Sequence, residues 1–339
     1  MACDLALFRT YPALEARVPR RPFISAPTPV VPLDLPGFAE GELWIKDDAR
    51  SCPLHGGNKP RKLEFIIGSA LARGSRRLVT TGALGTHHGL ATTILGRSVG
   101  LATTLVLVPQ PITPEVQAAF ELDVAWGAEV LRASGVTTAA LQVIRALARS
   151  QLRGERPHLV WTGGSSALGN LGFVSAAFEL AEQIEAGELP EPAEISVALG
   201  SGGTTAGLVL GLRLAGLAIP VRGVLVSDIM SPSPGALARS ANATLKLMRR
   251  IDPMIPDRPL APSDFMIDRS ELGPGYGSAT EQSAAALDVA ARHGLQLDST
   301  YTAKCFASVL ARSEGRPSSR GPLLFWNTHN GLEIAAPSS

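Results

Sequence analysis

Apolar and polar positions along the chain follow two rhythms. Behind Pro60, within "RKLEFIIGSALARG", Leu63, Phe65, Ile66, Ile67, Ala70 and Leu71 recur at helical spacing, and Gly74 is the stop. "RRLVTTGALG" reads as a short buried strand running into a glycine-rich turn, "HHGLATTILGRSVG" as a helix, and "LATTLVLVPQP" as a strand closed by prolines. Helix, strand, helix, strand is the grammar of a parallel sheet. It continues through "AFELDVAWGAEVLRAS" (helix, then strand), "TTAALQVIRALARSQ" (helix) and "HLVWT" (strand). "NLGFVSAAFELAEQIEAG" is a helix, and "AEISVALGSGGTTAGLVLGLRLAG" is strand, loop and helix. "PVRGVLVSD" is a strand, "SATEQSAAALDVAARHG" a helix, and "GPLLFWNTHNG" a last strand and turn. The predicted class is α/β, with parallel sheets flanked by helices. No period of about 20 to 50 residues recurs, which excludes a solenoid. A smaller lobe is expected at residues 61–169, inserted in a larger one made of residues 1–60 and 170–339.

Composition narrows the function classes. The 339 residues are 45% hydrophobic and 18% charged, with a formal net charge of +1. That balance points to no nucleic acid and no anionic membrane as partner. No run of about 18 uncharged apolar residues appears, so no membrane span is expected. The N-terminus lacks the pattern of a signal peptide. Cys3, Cys52 and Cys305 are far apart and form neither a metal-binding spacing nor a disulfide framework. No metal is expected, and the reducing cytoplasm is the compartment implied.

The chemistry starts at "HGGNKPRKLEF", His55 to Phe65. Lys59 sits between a bent, glycine-rich segment and Pro60, which opens a helix without donating a hydrogen bond. It is either a solvated charge or a reactive amine. A second stretch, "ALGSGGTTAGL", ends a strand at Leu199 and begins a helix after Ser201, Gly202, Gly203, Thr204 and Thr205. Such a turn aims backbone N–H groups and a positive helix end at one point, a natural anion site. No lysine follows and the third glycine of GxGxxG is missing, so a metal-free monophosphate suits it better than a nucleotide. The alternative is a glycine-rich turn kept for tight packing. "TTGALGTHHGLATT" has the same placement and carries Thr86, His87 and His88; "GGSSALGNLGFV" is again small and hydroxyl-rich. Tyr276 in "GPGYG" and Tyr301 in "DSTYTAK" stand in short irregular contexts. An amine, a phosphate cradle and hydroxyl-lined loops together suggest pyridoxal phosphate.

In this order the motifs "GGNKPRKLEF", "TTGALGTHH", "GGSSALGNLGFV", "GSGGTTAGL", "GPGYG" and "DSTYTAK" resemble the D-cysteine desulfhydrase and 1-aminocyclopropane-1-carboxylate (ACC) deaminase family. These are two-lobed, fold type II pyridoxal-phosphate enzymes of the tryptophan-synthase-β kind. The likeness runs from about Pro29 to Gly331. It implies Lys59 as the lysine that holds the cofactor aldehyde, with Asn58 beside it, and Ser201–Thr205 as the phosphate cup of the larger lobe. It leaves Lys62 as a helix residue. It implies Tyr276 and Tyr301 near cofactor and substrate, Thr86 at the substrate carboxylate, and a homodimer as the assembly. Two positions separate the branches: Thr302 where the deaminase has glutamate, and Thr328 where the desulfhydrase has threonine. Both favour β-elimination. His87 replaces an asparagine that bonds the cofactor ring oxygen, and His329-Asn330 replaces a glycine pair; both crowd or recharge the pocket. The resemblance therefore implies a lyase converting D-cysteine or a related β-substituted amino acid to pyruvate, ammonia and the leaving group. ACC ring opening, β-replacement, and a silent amino-acid- or phosphate-binding relative are the alternatives.

Overall fold

The computed structural model describes residues 5–313 and 321–337; Cys3 lies outside them. In chain order the elements are α1 (Ala6–Thr10), α2 (Pro12–Arg17), β1 (Val30–Pro32), β2 (Leu43–Asp47), α3 (Lys59–Ala72), β3 (Arg77–Ala83), α4 (His87–Arg97) and β4 (Ala102–Val108). Next come α5 (Pro114–Ala125), β5 (Glu129–Arg132), α6 (Val136–Leu152), β6 (His158–Val160), α7 (Leu171–Glu185), β7 (Glu194–Leu199) and α8 (Gly203–Ala215). Last are β8 (Val221–Leu225), α9 (Pro234–Ile251), β9 (Met266–Asp268), α10 (Glu281–Arg292), α11 (Thr302–Leu310) and β10 (Leu323–Asn327). One sheet has the order β5-β4-β3-β6 and is parallel throughout. The other has the order β1-β2-β10-β7-β8-β9, with β1 antiparallel to β2 and the rest parallel. Every residue of β7 and of β10 is buried, as expected of parallel strands covered on both faces.

Several elements go beyond the sequence reading. Helix α9 carries the buried stripe Leu237, Ala238, Ala241, Leu245 and Met248, opened by the Ser233 cap and Pro234. Helix α11 begins directly at Thr302, so "DSTYTAK" is a helix start rather than an irregular stretch. Its leading amides are held by Asp298, which accepts from Thr300, Tyr301 and Thr302 N–H groups. Strand β2 hides in sequence because Lys46, on it, is fully buried.

Lys46 belongs to a buried ionic cluster that locks α3. Arg61 donates to both carboxylate oxygens of Asp48 and to Glu179 on α7. Lys46 donates to Glu179 at 2.6 Å and to the Thr28 carbonyl at 2.7 Å. Trp326 on β10 completes it by donating to Asp48 at 2.9 Å. Removing one partner of such a buried set costs ~3–5 kcal/mol, because it strands the others' charge. Lys59 stands two residues before Arg61, so this cluster fixes where α3 presents it.

Cys52 and Cys305 are buried and unlinked. No described helix is long and apolar enough to cross a membrane.

Asp123 on α5 is 0% exposed, and neither carboxylate oxygen has a hydrogen-bond partner. Burial pushes its pKa up to about 8. A carboxyl raised on folding contributes stability that is intact below its unfolded pKa near 3.8 and is lost as pH rises through about 8. Thermal melts of the wild type should therefore decline over that window, with a slope approaching ~1.4 kcal/mol per pH unit. Asp123→Asn should flatten this component. Parallel pH profiles for the two proteins would show that another group titrates.

Candidate active site

The segment before α3 makes the first part of the site. The Gly56 Cα lies so close to the Ala49 carbonyl that an added Cβ would come within 1.7 Å of its oxygen. Asn330 braces the same turn, its Oδ1 accepting from Gly56 N at 2.7 Å. Asn330 thus supports the loop instead of merely crowding the pocket. Asn58 leaves its side chain uncommitted to capping α3. Its Oδ1 accepts from Lys59 Nζ at 2.7 Å, and its Nδ2 donates to Thr204 Oγ1 at 3.3 Å. Lys59 is half-buried, 6.0 Å over the Tyr301 ring, and desolvation brings its amine down to about 8 against the pull of Asp298.

Lys62, one helical turn on, is more than a helix residue. It is 2% exposed, lines the same cavity, and donates to the Gly163 carbonyl at 3.2 Å. Desolvation and then Lys59 hold its amine well below the usual lysine range. No local pattern announces this, since a lysine at that position looks like a solvated face.

The loop after β7 forms the second part. Gly202, at φ +89°, adopts the left-handed conformation that caps α8. Ser165, from the third hydroxyl-rich stretch, backs this loop: its Oγ accepts from Gly203 N at 3.0 Å and lies 2.7 Å from Ser201 Oγ. A Cβ on Gly203 would meet that Oγ at 2.5 Å. Thr205 Oγ1 is buried and has no partner. An unpartnered hydroxyl, a helix start whose first amides have no intrahelical acceptor, and a buried lysine next to them form a donor set suited to a phosphate.

Facing this are the tyrosines and histidines. Tyr276 and Tyr301 join hydroxyl to hydroxyl at 2.7 Å, with rings edge to face. Burial raises both phenols, Tyr301 well above its usual range, so both stay protonated. Thr86 caps α4 by accepting from Gly89 N at 3.2 Å, which leaves its hydroxyl hydrogen free to donate. Thr80 Oγ1 donates to the Val160 carbonyl and accepts from His88 Nε2 at 3.1 Å, so His88 turns inward as a fixed neutral tautomer. His55 Nδ1 donates to the Gly56 carbonyl, and burial lowers that imidazole to about 3.

Lys59, Asn58, Thr86, His87, Ser201, Gly202, Thr204, Thr205, Tyr276, Tyr301 and Thr328 all line one cavity of about 500 Å³. Gly203 does not line it; its amide is held by Ser165 Oγ. Thr302 does not line it: its hydroxyl donates to Asp298 Oδ2 at 2.7 Å. The carboxylate that does face the cavity is Asp298, the sole acid among the described lining residues. Despite burial, His329, with Nδ1 3.7 Å away, and then His87 hold it below the usual carboxylate range. The helix-start pattern of Asp298 ahead of Tyr301 was the signal available for it.

Comparison with known proteins decides the family. The sequence profile of the family described as "Pyridoxal-phosphate dependent enzyme" matches residues 23–328. The chain belongs to that family. Pyridoxal phosphate is its cofactor. The chain is similar to a D-cysteine desulfhydrase of Klebsiella pneumoniae (strain 342), 33% identical over 92% of this chain and 94% of that one. The structure is similar to that of an ACC deaminase homologue, with TM-score 0.76, 28% identity, and 97% and 95% of the two chains covered. A threonine deaminase of T.th. matches at TM-score 0.61 and 18% identity over 97% and 98%, a likeness of fold alone. These relatives place the chemistry among the pyridoxal-phosphate lyases, on the type II fold. The donor set at Ser201–Thr205, Asn58 and Lys62 fits the cofactor's phosphate, and the Lys59 amine its aldehyde.

His87 is open to the cavity, yet desolvation there holds its imidazole below the ordinary value of 6.5, with Asp298 opposing. Its protonation should show as a transition in the visible absorbance of the cofactor-loaded enzyme below pH 6.5, rather than at the free value. His87→Asn should remove that transition. An unchanged profile in the variant would mean that His87 does not act on the cofactor.

Proposed function

We propose that the protein is a lyase that eliminates the β-substituent of a small amino acid of the D-cysteine type, releasing pyruvate and ammonia. The observation that carries this reading is Lys59, a half-buried amine lowered to about 8, facing a protonated tyrosine pair across one cavity. A base poised near neutral pH can take a carbon-bound proton, and a neutral phenol can give one.

Thr86 and the first turn of α4 bind the substrate carboxylate. Held at Ser201–Thr205, pyridoxal phosphate supplies the electron sink that makes the α-proton acidic. Lys59 takes that proton. The Tyr276–Tyr301 pair stays protonated and lies ready to donate a hydrogen bond to the departing sulfur. Asn58 holds the Lys59 amine at its Oδ1 and steadies it against Thr204. Thr328 lines the cavity as a hydroxyl, which supports elimination over ring opening. Thr302 lends no such support, because its hydroxyl is spent on Asp298.

The cytoplasm is the compartment we propose, supported by the buried, unlinked Cys52 and Cys305. A homodimer is the proposed assembly, supported by the family resemblance and tested by sedimentation. For the reaction, pyruvate, ammonia and sulfide are measured with both enantiomers of cysteine, with serine derivatives and with ACC. Stoichiometric pyruvate and sulfide from one cysteine enantiomer is the expected outcome. Formation of 2-oxobutanoate from ACC without sulfide release from cysteine would replace this reading by ring opening.

A further inference from the structure

The cavity of about 500 Å³ that receives cofactor and substrate is walled on one side by apolar residues of α6. Part of the lining comes from α6, which presents Val136, Ala140 and Ile144 at a spacing of four residues, on one helical stripe. Val136 is 69% exposed and Ile144 62%. Trp161, 61% exposed, and Ile229, 52% exposed, line the same cavity. The helix is not free to turn this stripe away. Its Ala139 is buried against Val106 and Ala133 under the smaller sheet. Bare apolar side chains that line a ligand cavity mark where an apolar part of a ligand is received. The thiol of an unsubstituted cysteine is a single polar atom and offers such a wall no apolar surface to cover it.

We infer that the α6–Trp161–Ile229 wall is a subsite for an apolar S-substituent, so that the preferred substrates are cysteines whose sulfur carries an aromatic or branched group. This rests on the lyase reading and names its substrate class. The α-proton passes to Lys59, the C–S bond breaks, and the sulfur leaves with a proton from the tyrosine pair as a thiol. The remaining three-carbon fragment takes up one water and gives pyruvate and ammonium. No oxidant or reductant is needed.

The test uses the cofactor-loaded enzyme with cysteine, S-methylcysteine and S-benzylcysteine in both enantiomers, measuring pyruvate and thiol. The kcat/KM for S-benzylcysteine should exceed that for cysteine by at least tenfold. Ile144→Glu, a change at an exposed position, should cut that ratio at least tenfold, and Trp161→Ala should lower it as well. Calorimetry adds a readout without turnover. The thiol-free analogue 2-amino-4-phenylbutanoate should bind at least tenfold tighter than alanine, and Ile144→Glu should erase the difference. A ratio at or below one, or a ratio unmoved by both variants, overturns the subsite. Pyruvate from cysteine alone would sink the subsite and leave the lyase reading standing. Analogue binding that depends on Ile144, with no pyruvate from any cysteine, would keep the subsite and sink the lyase. An oligomer in the wild type that Ile144→Glu dissociates on sedimentation would assign the wall to a second copy of the chain and overturn the proposal.

Discussion

Lys59→Ala should abolish both turnover and the visible absorption of the bound cofactor. Loss of a positioned base alone costs about 10²–10⁴-fold in rate, and loss of the covalent attachment adds to it. Two lysines compete for this role, because Lys59 and Lys62 lie one helical turn apart and line the same cavity. Their surroundings separate them. Lys59 is half-buried, lies beside Tyr301, and is bonded to Asn58. Lys62 is shut in, 5.8 Å over the Phe173 ring, with its amine on the Gly163 carbonyl near Ser201. Lys62→Met should therefore keep the absorption band and turnover chemistry while weakening cofactor retention. Borohydride reduction and peptide mapping give the direct answer: a pyridoxyl group on Lys62 would reverse the assignment.

Thr205→Val should move two quantities in opposite directions. The Thr205 hydroxyl is buried and has no partner within the protein. Such a group costs ~1–3 kcal/mol, and valine keeps the side-chain shape without it. The cofactor-free variant should melt no lower than the wild type, and is expected to melt higher. Cofactor affinity should fall about tenfold to a hundredfold, since a hydrogen bond to a charged acceptor contributes ~1.5–3 kcal/mol. Titration of the cofactor-free protein, followed by absorbance, measures this. Unchanged affinity would place the phosphate elsewhere. Bulky residues at Gly202 or Gly203 make a poorer test. A side chain at Gly202 would take up an unfavourable φ and meet Leu237 at 2.5 Å, so fold and site would fail together.

Much of the site was readable in the chain because glycines and hydroxyls at strand ends have few other reasons to cluster. Lys59 and the loop residues Ser201, Gly202, Thr204 and Thr205 announce themselves by local pattern and the two tyrosines by the family resemblance, and all of them line one cavity. What sequence hides is burial of charge. Lys46, Arg61, Lys62 and Glu179 have the side chains of a wet surface, and only their partners, far away along the chain, make burial possible. Asp298 hides for a related reason. Its part in starting α11 is local, but its exposure to the cavity depends on His87 and His329 arriving from other elements. Thr302 shows the reverse error. Its neighbour Tyr301 faces the cavity, and the helix start turns Thr302 away, toward Asp298.

The buried cluster around Arg61 also ties together parts of the chain that are synthesised far apart in time. Its members come from Thr28, Lys46, Asp48 and Arg61 near the beginning, from Glu179 midway, and from Trp326 close to the end, 278 residues beyond Asp48. A nascent chain that has left the ribosome through β6 holds the whole smaller sheet but none of the carboxylate that Glu179 brings to Arg61. Until β10 emerges, Asp48 lacks its indole donor and β2 lacks its parallel neighbour. The lysine-bearing end of α3 therefore gains its full set of partners only when the last strand is made.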